Sequence, residues 1–277
     1  VSDEGRVGGQ AAPVADAPRF RLPGVTLDAE YMEAVEKGDR DGDNLVELLR
    51  KTKKDERDKA VAAWLERNPE TAKRLEKMVE DRARAAGYDR ETFRGDTMAN
   101  DIFVYSPRER REVGIFTTPK KEIADVYAGA SNGRRLNNSA RRFYVRAPNT
   151  LDLTKDTMAN RRWVAKWSES FDEWVDRQSG ETTSAWDVLE SGRMFDYEGD
   201  WSSERWRDLQ ATAEYEGYDA VVLPDFDNGR GVFPSLVIFD SNNLKLASPV
   251  TYDDAGRIIP PSERFNEASD DIRYRLP

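Results

Sequence analysis

Two stretches, DAVVLPD at 219–225 and SLVIFD at 235–240, constrain the fold most. Each is short, apolar and rich in β-branched or large residues, the pattern of a strand. The turn-rich segment between them, DFDNGRGVFP, predicts a long hairpin whose loop region carries Asp225, Asp227, Arg230 and Phe233. Other strands are expected in ETFRGDT, DIFVYS, GIFTT and RRFYVRAP, with NNLKLASPVTYDD as an edge segment. PKKEIADVYAGA reads as a helix opened by Pro119. Strands and helices follow one another without regular alternation, which predicts an α+β fold rather than a doubly wound one. No GxGxxG or GxxxxGK[ST] sequence is present, so the common dinucleotide and P-loop folds are not indicated.

Helices dominate what comes before. Residues 1–24 mix Gly, Ala and Pro without period and read as a flexible linker or tail. Residues 25–87 form a helical N-terminal region: one helix carries Leu27, Tyr31, Met32 and Val35 up to Gly38, and a second runs through NLVELLRKTKK. A third is expected from about Asp55 into ARAAGYD, interrupted at Pro69. The α+β domain is expected over 88–250, with a Trp-rich helical insert at 158–215, and residues 251–277 form a C-terminal strap. Within the insert Trp163, Trp167, Phe171 and Trp174 recur at helical spacing and are expected on one buried face.

The chain has no cysteine and no histidine, which removes disulfides, thiolate nucleophiles, the usual zinc sites and a serine-histidine triad. A formal net charge of -10 disfavours general binding to a phosphate backbone. Local basic clusters remain at Arg108, Arg110 and Arg111 and at Arg134, Arg135, Arg141 and Arg142, for which a solvated face is the ordinary reading. No apolar run is long enough for a bilayer, and VSDEG lacks the features of a signal peptide. Because the chain starts at Val1, it is expected to be a piece of a longer polypeptide.

Chemistry must then come from Arg, Lys, carboxylates, hydroxyls and the main chain. Arg94 followed by Gly95 can set a cationic fork beside a close main-chain approach, suited to a pyrophosphate and a flat amide-bearing ring; a surface turn is the alternative. Thr117 and Thr118 supply hydroxyls, of which strand alternation puts only one toward a site. Tyr127 is either a buried tyrosine sharing a face with Ile123 or a ring that stacks on a planar ligand. Asp225 and Asp227 could hold a cation, but a polar hairpin tip explains them better, and no metal is expected. DRDGDN near Asp39 lacks the full calcium-loop pattern.

Seven segments, DAEYMEAVEKGD, RAAGYDRETFRGDT, GIFTTPKKEIADVYAG, RRFYVRAPNTLDL, GYDAVVLP, SLVIFDSNNLKLAS and RFNEASDDIRYR, occur in an order that resembles the ADP-ribosyltransferase-like domains of phage polyvalent proteins and phage head-associated toxins. The resemblance spans most of the chain after Gly24. It implies a split β-sheet core with added helices that uses NAD as substrate and transfers ADP-ribose to a macromolecular acceptor, foremost a protein. It also implies a phage or mobile-element effector, acting in the bacterial host cytoplasm after delivery or held in the virion. Arg94 matches the cationic position of the first core strand, Gly95 the glycine after it, and Thr117, Thr118 and Tyr127 the hydroxyl and aromatic element.

One departure stands out. The family's catalytic glutamate aligns with Ser235, which brings no charge to an oxocarbenium-like transition state. Three readings follow: Asp225, Asp227 or Asp240 supplies the carboxylate; the chain is a silent NAD-binding or structural module; or the alignment shifts around GRGVFPS. Asp240 matches a structural position of the family and is the weakest of the three aspartates.

Overall fold

The computed structural model describes residues 23–40, 42–95, 114–131, 134–135, 140–168, 174–176, 182–191, 197–198, 206–227 and 231–265. The 1–22 part of the tail, the DIFVYS segment, Arg108, Arg110, Arg111, Phe171 and the strap beyond Phe265 lie outside the described residues.

Helix α1 (Pro23–Lys37) buries Tyr31, Ala34 and Val35 and stops at Gly38, whose φ of +61° suits a residue without a side chain. DRDGDN follows as a knot of helix caps. Asn44 caps α2 (Leu45–Lys51) by accepting from Glu47 N. Asp39 accepts from Glu70 N and Thr71 N, at 3.0 and 2.7 Å, in the first turn of α4 (Pro69–Ala85). Trp64, on α3 (Arg57–Arg67), donates its indole N–H to the Asp43 carbonyl, and Asn68 Nδ2 donates to the Asp43 carboxylate. The third helix expected from the sequence is therefore two helices. Pro69 occupies the start of α4, where its missing N–H costs nothing, instead of breaking one continuous helix.

The strands come next: β1 (Arg90–Arg94), β2 (Ile115–Thr117), then α5 (Lys121–Gly129), the short pair β3 (Ala130–Ser131) and β4 (Arg134–Arg135), β5 (Arg141–Val145) and β6 (Thr150–Asp152). Pro119 lies two residues ahead of α5, and the Thr118 hydroxyl accepts from Lys120 N at this corner. The 158–215 segment is not purely helical. It holds α6 (Met158–Ser168), β7 (Trp174–Asp176), β8 (Thr182–Thr183), α7 (Ala185–Ser191), β9 (Tyr197–Glu198) and α8 (Trp206–Tyr215). Trp163 and Trp167 are buried and stacked at 6.4 Å, but Trp174 sits on a strand instead of the same helix face. The Ser168 hydroxyl donates back to the Ala165 carbonyl, a competing bond of the kind that ends helices.

The expected hairpin is present as β10 (Ala220–Asp227) and β11 (Gly231–Ile238), followed by β12 (Leu244–Leu246) and α9 (Pro261–Arg264). One antiparallel sheet has the order β1-β5-β12, and β12 is indeed at its edge; a second has the order β2-β11-β10-β6, with β6 parallel to β10. Among the described residues a bridge from Phe93 to Thr118 joins the two sheets. Pro224 and Pro234 sit opposite each other in the hairpin. Val222 turns its carbonyl toward Leu153, so Pro224, two residues on, faces the same outer edge after β6 has ended. Neither proline's absent N–H is then missed.

Three apolar layers hold this together. Phe143, Val145 and Leu244 of the first sheet meet Ile115, Ala220, Leu236 and Ile238 of the second. The outer face of the first sheet, through Tyr144, packs on the N-terminal helices with Trp64, Leu75 and Phe265. The outer face of the second, through Val221, Leu223 and Val237, packs on α6, α7 and α8 with Trp167 and Leu189. The result is a mixed α/β arrangement with helices on the outer side of each sheet.

Candidate functional site

The corner where β1 hands over to β2 gathers most of the residues singled out by sequence. Phe93 and Thr118 exchange main-chain bonds of 2.8 and 2.9 Å. That bridge carries Arg94 alongside β2, where its Nη1 donates to the Phe116 carbonyl at 3.0 Å. The guanidinium thus lies at the edge of β2, half-buried, and part of its hydrogen-bonding fork ties two strands together.

Gly95 has a different neighbour from the one its pattern implied. A Cβ there would lie 1.8 Å from the Ala124 carbonyl oxygen and 2.4 Å from Ala128 N, both on α5. The close main-chain approach is real, and helix α5 occupies it. This packing also explains Tyr127. The helix buries Ala124 and Ala128 completely against the Gly95 corner, together with Ile123, leaving Tyr127 43% exposed. The buried alternative for Tyr127 does not hold.

Thr117 and Thr118 are both buried, and both hydroxyls bind β11. Thr117 Oγ1 donates to the Leu236 carbonyl at 3.1 Å, and Thr118 Oγ1 donates to the Pro234 carbonyl at 3.4 Å. Thr117 pairs with Leu236, so Thr118 falls opposite Ser235 at the next register position. Alternation then puts Thr118 and Ser235 on one face and Thr117 on the other. Thr118 is thus the hydroxyl on the face of Ser235, whereas Thr117, the one assigned a catalytic part from sequence, faces the other way.

Ser235 is 4% exposed, and its Oγ donates to Asp225 Oδ2 at 2.8 Å. The hairpin register sets Ser235 opposite Leu223 and Asp225 opposite Phe233, so the serine and the carboxylate are diagonal neighbours on one face. Asp225 is half-buried. Asp227 ends β10, its main chain paired with Gly231. Asp240 is elsewhere: its carboxylate accepts from Asn242 N and caps a short turn before β12. Of the three candidate aspartates, Asp225 is the one bonded to Ser235. The sequence reading favours Asp227 as the catalytic carboxylate instead, because a hairpin's register cannot be read from a turn-rich loop.

The remaining candidates separate from this corner. Arg142 is held by Glu76 at 2.5 Å and lies 3.6 Å from Glu91, on the side of the N-terminal helices. Among the described residues there is no group of three or more His, Cys, Asp or Glu arranged to hold a metal. Nor is there, among them, a helix long and apolar enough to cross a membrane.

No family model matches the chain, and no curated protein matches it. Among solved structures, the chain is similar to one described as the crystal structure of an anti-CRISPR protein, at 14% identity over 54% of this chain and 89% of that one, with a TM-score of 0.27. A likeness at that level carries no argument about fold or function.

Proposed function

We propose that the chain is an NAD-dependent ADP-ribosyltransferase acting on a macromolecular acceptor, foremost a protein, in which Asp225 supplies the negative charge that Ser235 does not. The observation that carries this reading is the 2.8 Å bond from Ser235 Oγ to Asp225 Oδ2. A carboxylate stands one hydrogen bond from the position where the family resemblance calls for one.

The chemistry needs little more. The glycosidic C–N bond between ribose and nicotinamide breaks, the electron pair leaves with nicotinamide, and a nucleophile of the acceptor forms the new bond to the sugar while losing its proton. Negative charge beside the developing cation stabilises that transition state, and a half-buried carboxylate does so better than a fully hydrated one. Ser235 would orient the Asp225 carboxylate, and Arg94 would hold the pyrophosphate or a ribose oxygen. In this reading the protein is an effector of phage or mobile-element origin, delivered to the bacterial cytoplasm or carried in the virion.

A second reading, a module that binds NAD without turning it over, is favoured by the deep burial of Ser235 at the glutamate position. Calorimetric titration with NAD tests the binding step common to both. Arg94→Ala is expected to weaken binding by about tenfold or more, as for loss of a charged hydrogen bond. Arg94→Lys retains the cation and should fall between the two. Unchanged affinity in a folded Arg94→Ala protein would remove Arg94 from the site.

A further inference from the structure

A cavity of about 220 Å³ opens beside the β10–β11 hairpin, with Leu153, Trp186, Pro224, Phe233 and Pro234 as its walls. Its polar lining is Thr154, Asp156 and Glu190, all three exposed to solvent. Each of them is an acceptor. The Thr154 hydroxyl gives its proton to Asp152 at 2.5 Å, which leaves its lone pairs for a ligand. Asp156 accepts one bond from Arg161 on each oxygen, at 2.6 and 2.9 Å, and a carboxylate has about four acceptor sites in all. Glu190 makes no hydrogen bond among the described residues. The cations nearby are already engaged. Lys155 pairs with Asp152 at 2.9 Å, and Arg161 lies 5.1 Å from the Trp186 ring centre, where it faces Asp156, Glu190 and Asp187 together. Three carboxylates against one guanidinium leave the mouth of the cavity negative.

Apolar walls beneath an acceptor-only, negative mouth fit an amphipathic cation, which lays a hydrocarbon stem on the walls and keeps its charged head at the rim. An anion would meet like charge there, and a neutral amide would bring a carbonyl for which the lining has no donor. A cavity of about 150 Å³ is enough for benzene, so a four-carbon stem fits this one. Three separate acceptors suit the three rotatable donors of an ammonium better than the flat fork of a guanidinium. Val232, also in the lining, is 52% exposed. A polypeptide carrying the cation would cover that apolar surface, whereas a free polyamine, charged at its far end too, would not.

We propose that this cavity docks a lysine side chain of a partner protein. The inference does not rest on NAD turnover, since Arg94, Ser235 and Asp225 are not in its lining. Nitrogen-15 NMR of the full chain tests it, following the main-chain amides of Glu190 and Val232 during titration with a blocked tripeptide that carries a central lysine between two valines. A saturable shift at millimolar concentration is expected. The same peptide with norleucine or Nε-acetyl-lysine at its centre keeps the stem and loses the charge, and should bind about tenfold more weakly or worse. Glu190→Gln, a change of charge with little change of shape at an exposed position, should weaken the lysine peptide by a similar factor. No saturable shift, a norleucine peptide that binds as tightly, or an unaffected Glu190→Gln protein would each overturn the proposal. Tighter binding of spermidine would point to a free polyamine and tighter binding of the arginine peptide to a guanidinium, and either result overturns the lysine assignment.

Discussion

At Gly95 the absence of one methyl group decides where a helix can lie. Because a Cβ would sit 1.8 Å from the Ala124 carbonyl, Gly95→Ala must push α5 away from β1. We expect a loss of about 3 kcal/mol, the upper end for overpacking, seen as a lower midpoint in urea with unchanged slope. A neutral substitution would show that the helix can retreat freely. The sequence announced a close approach at FRG, but not its partner, since glycine permits contact with a ligand and with a helix alike. Ser235 and Asp225 teach the same lesson in reverse. Both residue types were visible, yet their contact depends on a register that places 225 opposite 233, and no local pattern specifies it.

At the scale of elements, the hairpin and most helices were legible because their apolar periods are strong and their stops are marked by Gly38 and Pro69. The tryptophan stripe was not, since spacings of four, four and three fit a helix whether or not the chain continues as one. DRDGDN was legible only as an acidic turn, because its partners at Asn68, Glu70 and Thr71 are remote in sequence. Its carboxylates predict an acid dependence. The Thr71 hydrogen bond, joined by the Glu70 amide, holds Asp39 below the usual carboxylate range, and the Asn68 amide followed by Arg67 does the same for Asp43. A lowered folded value means the stabilisation is present above the ordinary aspartate pKa and is lost as pH falls through the lowered value. Thermal unfolding followed by circular dichroism should therefore show an acid limb below about pH 4 that is shallower in Asp39→Asn and Asp43→Asn. Equal acid limbs in all three proteins would contradict the capping role. Trp64→Ala, which empties the centre of this unit, should cost about 3–5 kcal/mol in chemical denaturation.

At the scale of the whole molecule, the two sheets, bridged at Phe93 and Thr118, bring three distant segments to one corner. β1 delivers Arg94, β2 delivers Thr118, and the hairpin delivers Ser235 with Asp225. The mixed α/β layout follows from the strand and helix periods, whereas the pairing of β1 with β2 across the 96–113 segment follows from no local signal. The outer helices bury the apolar faces that the sheets would otherwise expose and leave this corner as the place where polar groups converge. In the proposed reaction this corner breaks the nicotinamide bond of NAD with Asp225 as its carboxylate. Nicotinamide release from NAD, measured in the presence of a bacterial protein extract as acceptor, tests it most directly. Release by the wild-type chain is expected, with a fall of at least about a hundredfold in Asp225→Asn, the scale of losing one transition-state electrostatic contact. Release that is undetectable in the wild type, or undiminished in folded Asp225→Asn, would contradict it.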